Sequence, residues 1–489
     1  MKKLLLILFL GFGSSYAQTQ IGADINGEAA NDNSGTSVSL SSDGTIMAIG
    51  APYNNGNGNG AGSVRVYQNT SGTWTQIGAD INGEAAGDAS GYSVSLSSDG
   101  TTVAIGAPLN DGSGNNAGSV RVYQNILGTW TQLGADINGE AAGDYSGFSV
   151  SLSSDGTIVA IGAPYNDGSG TDAGSVRVYQ NTLGTWTQIG ADINGEAAGD
   201  GSGTYVSLSS DGTIVAIGAI YNDGSGTDAG SVRVYKNTSG IWTQIGADIN
   251  GEAANDQSGL SISLSSDGTV VAIGARYNDG SGADAGSVRV YKNVTGTWTQ
   301  IGADINGEAA GDYSGYSVSL SSDGTIVAIG AILNAGSGSQ SGSVRVYRNV
   351  SGTWTQLGAD IDGEAAGDQS GVSVSLSSDG TIVAIGSAGN DGSGSNAGSV
   401  RVYGLAAVLS SDSFVQANFM LYPNPSNGVL NISLQNTLQL EKVNFYNLLG
   451  QLVKTATTTV ITTADLAKGS YYVEVMTTQG KATKQVLVQ

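Results

Sequence analysis

The chain contains no cysteine, no histidine and only 5 prolines in 489 residues. Lacking cysteine, an exported protein folds without disulfides and has to bury a core of its own. Lacking histidine, it has no His-dependent triad, no histidine general base and none of the commonest metal ligand. Charged residues make up only 12%, and beyond the N-terminal segment no apolar run is long enough to cross a membrane. Positive charge is scarce: residues 18–405 hold 11 Lys/Arg against 37 Asp/Glu. A body that acidic repels nucleic acid and anionic membrane surfaces. Residues 406–489 hold 5 Lys/Arg against 4 Asp/Glu, so the chain changes character there.

What the chain has in excess is glycine, 77 residues, and a period. The phrase Gln-(Ile/Leu)-Gly-Ala-Asp-Ile starts at Gln20, Gln76, Gln132, Gln188, Gln244, Gln300 and Gln356, always 56 residues apart. A fixed period decides the architecture before any single residue does. In the unit from Gln132, "FSVSLSS" (148–154) alternates small polar and apolar residues, and Asp155-Gly156 follows as a hairpin signal. "TIVAIGA" (157–163) is apolar almost throughout, as a strand buried on both faces is. "SVRVYQ" (175–180) alternates again, and "TWTQIGADI" (185–193) is a fourth strand. Four antiparallel strands in each of seven units, without a helical stretch, predict an all-β protein: a seven-bladed β-propeller over 18–405. Independent 56-residue domains without metal or disulfide would have weak cores.

The ends of the array complete each other. Residues 1–17 have a basic start, an apolar run from Leu4 to Phe12 and small residues at Ser15 and Ala17, and are expected to be a cleaved secretory signal. The phrase at Gln20 then lacks the strands before it, while the seventh unit stops after "SVRVY" (399–403) without its "TWTQIGAD". Residues 18–26 are therefore predicted to be the outermost strand of the last blade, closing a monomeric ring and removing exposed sheet edges. The Trp of each internal junction is placed by hairpin register opposite the Tyr of "RVY", as Trp186 opposite Tyr179.

At this point a resemblance enters. "SGYSVSLSSDGTTVAIGAP…GSVRVY" resembles the FG-GAP repeat of integrin α-chain propellers and many bacterial surface proteins. It is closest in the units with Pro52, Pro108 and Pro164; Ile220, Arg276, Ile332 and Ala388 take that place later. The calcium loop of that family lies between the first two strands of a unit. Here the short hairpin "LSSDGT" stands there, so that site does not carry over.

Residues 406–419 read as a linker, and in 420–489 the period is gone. About seven short alternating stretches separated by Asn/Gly/Ser turns predict an Ig-like sandwich. Tyr422, Pro423, Asn424, Pro425 and Gly428, then Gly450-Gln451, then Leu466, Gly469 and Tyr471 make the tail resemble the C-terminal sorting domain of the type IX secretion system. That resemblance implies the type IX machinery as a partner, and export across the outer membrane of a Gram-negative bacterium to the surface or the medium.

Strand alternation puts the "SSDG" turns on one face of the disc, here the first face. The Gly-rich loops and "DINGEAAGD" fall on the second, with 30 of the 37 carboxylates. The second face is the expected binding surface for an extracellular protein or glycan. A structural surface-layer role without a specific ligand is the alternative, and a lectin-type propeller would use Tyr53, Tyr165, Tyr221 and Tyr277 at the loop starts. Catalysis is not expected, because the carboxylate pairs are copied around the ring while an active site is asymmetric. The singular Arg276 and Arg348 read as solvated surface charges, and the recurring Arg of "VRVY" as side chains that snorkel and neutralise neighbouring acids rather than bind ligand. Calcium is a possible ligand of the spacing Asp24, Asn26, Glu28, Asp32, repeated at Asp136, Asn138, Glu140, Asp144 and at Asp360, Asp362, Glu364, Asp368. Turn capping by the same side chains is the competing reading.

Overall fold

The computed structural model describes residues 18–405, 419–434, 439–447, 451–477 and 480–489, as strands and turns without a helix. The expected signal (1–17), nearly all of the linker and Gly450 lie outside the described residues. Gln20–Leu405 forms one compact unit and the C-terminal residues belong to another.

The first unit is built of seven five-stranded antiparallel sheets. In the first sheet Ser37–Leu40 is innermost, followed by Ile46–Ala51 and Ser63–Thr70, with Thr73–Gln76 and Ile81–Asn82 outermost. The second strand is buried along nearly its whole length, because it packs against the neighbouring sheets on both faces. Thus Met47 and Ile49 share a core cluster with Ala384, Val400 and Val402 of the last sheet. An aliphatic side chain buried so completely contributes roughly 1.5–3 kcal/mol.

The innermost strand has one unpaired edge, and its serines deal with it. Ser37 donates to the Gly91 carbonyl of the next sheet at 2.8 Å, while Ser39 Oγ accepts from the Leu96 amide at 3.0 Å. "SVSL" is therefore a strand whose apolar residues fill one seam and whose hydroxyls tie the other. On the first face the ring closes on itself through backbone: Ser42, Ser98, Ser154, Ser210, Ser266, Ser322 and Ser378 each donate to the next carbonyl, and Ser378 returns to Ser42.

The closing strand is where the sequence predicts it. Thr19–Gln20 and Ile25–Asn26 belong to the last sheet, with Ile25 opposite Val400 and Asn26 opposite Ser399. Two expectations need correction. The fourth strand is not continuous: it breaks between Gln76 and Ile81, around Gly78 at φ 74°. A Cβ on that glycine would lie 2.7 Å from the Gly128 carbonyl and 3.1 Å from the Trp130 ring. Trp186 pairs with Asn181, and Gln188 faces Tyr179, so the aromatic register was two residues out. Instead of a cross-strand pair, each Trp makes a clasp between sheets. Trp74, Trp130, Trp186, Trp242, Trp298 and Trp354 donate at 2.7–2.9 Å to carbonyls 53 residues earlier, from Ile21 to Ile301.

The second unit has a three-stranded and a four-stranded sheet, with Phe419, Leu430, Val443, Phe445, Val473 and Val486 in one core. Phe419, assigned to the linker from sequence, is buried at the start of the first strand.

Candidate functional site

On the second face each seam is held by the arginine of "VRVY". These side chains do not snorkel. Arg121 is buried, its Nη2 donates to the Asn82 carbonyl at 2.9 Å, and its Nη1 lies 3.8 Å from Glu84. The guanidinium also sits 5.6 Å from the Tyr123 ring centroid. One arginine per sheet thus fixes the segment arriving from the previous sheet, through a charge-assisted hydrogen bond and a cation–π contact, to which Arg121, Arg177, Arg233, Arg289 and Arg345 add an ion pair.

The residues considered for calcium are distributed among the chain's own donors. Asp24, Asp136 and Asp360 accept from Gln20, Gln132 and Gln356 at 2.6 Å. Asn26, Asn138 and Asp362 use their backbone carbonyls to receive Arg65, Arg177 and Arg401. Glu28 and Asp32 meet around the Asn54 amide, at 3.3 and 3.0 Å, and Asp32 also caps the Ala29 amide. The same contacts recur for Glu140 and Asp144 around Asn166 and for Glu364 and Asp368 around Asn390. Among the described residues, no three acidic side chains gather as a ligand set. Burial pushes the Glu28 and Glu364 carboxyls up; facing arginines oppose it, and Asp80 and Asp24 of the adjoining segments add to it.

The seven innermost strands surround a cavity of about 340 Å³ at their second-face ends, within the range of small-ligand pockets. Its walls contain Tyr92, Phe148, Tyr205 and Tyr316 from the innermost strands and their approaches, with Tyr165 and Tyr221 from the loop starts. Arg276 is the only charged side chain in the lining, which contains no Asp or Glu. Tyr92 and Phe148 are in ring contact at 4.8 Å. Burial pushes the Tyr92 and Tyr205 hydroxyls far above their ordinary pKa, so both stay protonated donors.

Two residues break the sevenfold pattern here. Tyr205 stands where the other six units have the serine that donates to the next sheet, so the Gly259 carbonyl lacks the bond that Gly91, Gly147, Gly203, Gly315, Gly371 and Gly35 receive. Arg276 corrects its reading as a solvated charge. Its guanidinium lies 4.5 Å from the Tyr277 centroid and 5.7 Å from that of Tyr316, and Nη2 donates to Gln257 at 3.0 Å. Its Nε is buried without a partner.

Of the tyrosines singled out from sequence, Tyr165 and Tyr221 line the cavity and Tyr277 packs edge-on against Tyr313 beneath Arg276. Tyr53 is half exposed and outside the lining. Tyr92, Phe148, Tyr205 and Tyr316 were missed. Their signal was present: the place of Thr36 holds Thr, Tyr, Phe, Thr, Leu, Tyr and Val in successive units, and Tyr205 interrupts the otherwise nearly invariant Ser-Val-Ser-Leu that follows it.

In the tail, Asn424 of the sorting motif bridges to the last strand, donating to the Gln485 carbonyl and accepting from the Leu487 amide. Pro423 and Pro425 flank it in the same turn. Gly428, at φ 86°, offers its carbonyl to the Thr463 amide. Gly469 opens the strand in which Tyr471 donates to the Ala467 carbonyl at 2.8 Å.

Comparison with known proteins agrees with both halves. Residues 26–67, 82–123, 138–179 and 306–347 match the FG-GAP repeat, and 420–489 match the secretion system C-terminal sorting domain. No curated protein matches. Similar solved structures include a 6-phosphogluconolactonase candidate from Bacteroides uniformis (TM-score 0.49, 12% identity, 67% of this chain and 85% of that one). Hydrazine synthase of Kuenenia stuttgartiensis (0.48, 14%, 75% and 94%) and a periplasmic gluconolactonase of Pseudomonas aeruginosa (0.48, 16%, 68% and 86%) are alike at the same level. Likeness that distant carries no argument about activity. The chain thus carries FG-GAP repeats, matched in four of its seven units, and a C-terminal sorting domain of the type IX secretion system, and is a secreted or cell-surface protein.

Proposed function

We propose that the protein is a non-catalytic binding protein, exported through its tail, whose second face holds an extracellular protein or glycan. One observation carries the reading: apart from exposed turns, seven near-copies of one unit differ chiefly where they line a single aromatic cavity. A purely structural ring has no use for such asymmetry. Among the described residues the lining also has no Asp, Glu, His or Cys, so it offers no carboxylate, imidazole or thiol for acid–base or nucleophilic work, which supports binding over turnover.

The test is a glycan array and a surface-protein pull-down with the wild-type ring, alongside a variant carrying Tyr92→Thr, Phe148→Thr and Tyr316→Thr. Thr36 and Thr204 already occupy that place in two units, so the variant should fold. Capture by wild type and its loss in the variant is the expected result. Equal capture by both would move the contact away from the cavity, and no capture by either would favour the structural alternative.

A further inference from the structure

The cavity is unusual in its charge as well as its shape. On a strongly acidic ring face its lining, among the described residues, carries one cation and no carboxylate. Arg276 is held in place by Gln257 and between the rings of Tyr277 and Tyr316, so little freedom remains to be lost when it binds. Its Nε is buried and Nη2 already gives one bond to Gln257, so the donors left for a ligand are the remaining N–H groups of the two Nη nitrogens. A guanidinium held this way is a planar fork for a carboxylate.

The rest of the lining points to the body of the ligand. The rings of Tyr92, Phe148 and Tyr205 offer apolar faces, while the hydroxyls of Tyr92, Tyr205 and Tyr316 have no hydrogen-bond partner among the described residues. Stacking faces interleaved with free hydroxyls suit a ring that is apolar on its C–H faces and polar around its rim, which is a sugar. Tyr205 adds to the asymmetry: it replaces a serine that ties the seam in six units, and its ring both packs on the cluster of Val232, Ile262 and Val271 and lines the cavity.

We infer that the mouth of the central channel on the second face is a single site for a carboxylate-bearing sugar, a uronate-type residue of a glycan, with Arg276 on the carboxylate and Tyr92, Tyr205 and Tyr316 around the ring. This rests on the binding role proposed above and names its ligand class. The same carboxylate on an aromatic acid is the rival source, and its flat ring lacks a rim of hydroxyls for these tyrosines.

The experiment is titration calorimetry of the full mature chain with methyl glucuronide and an oligogalacturonide. The uncharged methyl glucoside and galacto-oligosaccharide, and 4-hydroxyphenylacetate, serve as comparisons. The acidic sugars should bind at least tenfold more tightly than their neutral counterparts and than the aromatic acid. Arg276→Ile, which installs the residue that units four and six carry as Ile220 and Ile332, should erase that discrimination, bringing acidic and neutral sugars to the same affinity. Tyr205→Ser, the residue of the other six units, should weaken both kinds of sugar. Equal affinity for acidic and neutral sugars, unmoved by Arg276→Ile, would overturn the carboxylate assignment while leaving a binding face intact. Tighter binding of the aromatic acid would overturn the sugar. Binding of no small ligand, with pull-down capture still lost in the Thr variant, would overturn this inference and preserve the broader function.

Discussion

The two ends of the central channel are made by the same seven strands and could hardly differ more. At the first face a cavity of about 150 Å³ is lined by Leu40 and Ser42 and their counterparts in all seven units, and the surrounding backbone bonds run in a closed cycle. At the second face the corresponding positions are Thr, Tyr, Phe, Thr, Leu, Tyr and Val. Closure is a problem of geometry that each unit solves identically, so one solution is copied. A ligand is not sevenfold symmetric, so a site for one needs the copies to diverge.

The comparison breaks most completely if the ring is opened. Removal of residues 18–26 takes away the pairing to Val400 and Ser399 and the burial of Ile25. Two aliphatic residues and several hydrogen bonds amount to about 5 kcal/mol. The deleted chain should melt far below wild type and expose the edge of the strand Ser399–Gly404 to aggregation. An unchanged melting temperature would mean that the first-face cycle alone keeps the ring shut.

A smaller perturbation separates seam from mouth. Arg233 donates to the Asn194 carbonyl at 3.0 Å and approaches Glu196 at 3.8 Å from a buried position. Arg233→Met should cost about 3 kcal/mol, because it leaves a carbonyl and a carboxylate without their cation. Arg276→Ile, at the mouth, should leave stability nearly unmoved. Chemical denaturation of the two variants side by side checks both, and an equal loss would make Arg276 another seam residue.

The arginine pair also shows what the sequence made legible. The period, the closing strand and the buried "TIVAIGA" strands followed from spacing and alternation, since edge closure and two-sided burial leave few alternatives. The Trp register did not follow, because the strand runs on through Asn69 and Thr70 and only Ser71 and Gly72, both at positive φ, make the turn, whereas the sequence suggests a four-residue turn starting at the Asn. The site was missed for another reason. Repeated residues such as Tyr165 and Asp144 attract attention in a repeat protein, yet the site proposed here is built largely of what is not repeated. Arg276 looked like a stray surface charge only because its partners Gln257 and Tyr316 come from 19 residues upstream and from the next unit.

The two faces should also titrate in opposite senses. On the first face, burial raises the carboxyl of Asp43, but bonds from the Thr45 amide and the Ser41 and Thr45 hydroxyls outweigh it and hold it below 3.8. The same is true of Asp99, Asp155, Asp211, Asp267, Asp323 and Asp379. These groups contribute stability above the unfolded pKa, lost as pH falls through the lowered folded value. On the second face, burial raises Glu28, Glu84, Glu196, Glu252, Glu308 and Glu364 above 4.5, against the pull of their arginines. Their contribution is fully present below 4.5 and is lost as pH rises through the raised value. Thermal stability should therefore rise modestly from pH 7 towards 5 and fall below about 4. A Glu196→Gln, Glu252→Gln variant should flatten the rise alone; a rise unchanged in that variant would assign it to net charge. Calcium at millimolar concentration and matched ionic strength should shift the melt less than this, because Asn and Gln amides and arginines already satisfy these carboxylates.

The smallest effect expected is the most informative about why the two mouths differ. Tyr205→Ser restores at the fourth unit the serine that donates across the seam elsewhere, giving the Gly259 carbonyl the bond it lacks. One neutral hydrogen bond contributes about 1 kcal/mol. The same change removes the ring of Tyr205, which packs on the cluster of Val232, Ile262 and Val271, and that loss is of similar size. The net change in stability should thus lie within about 1 kcal/mol of zero. By contrast, Ser261→Ala, at the same place in the next unit, loses the bond to Gly315 at 2.8 Å without compensation and should destabilise by about 1 kcal/mol. Denaturation midpoints of the two variants, read beside ligand binding, settle the matter. If Tyr205→Ser is neutral for folding and harmful for binding, the tyrosine is there for the ligand. If it destabilises as strongly as a core truncation while binding survives, Tyr205 is a packing residue and the asymmetry of the mouth belongs to the fold.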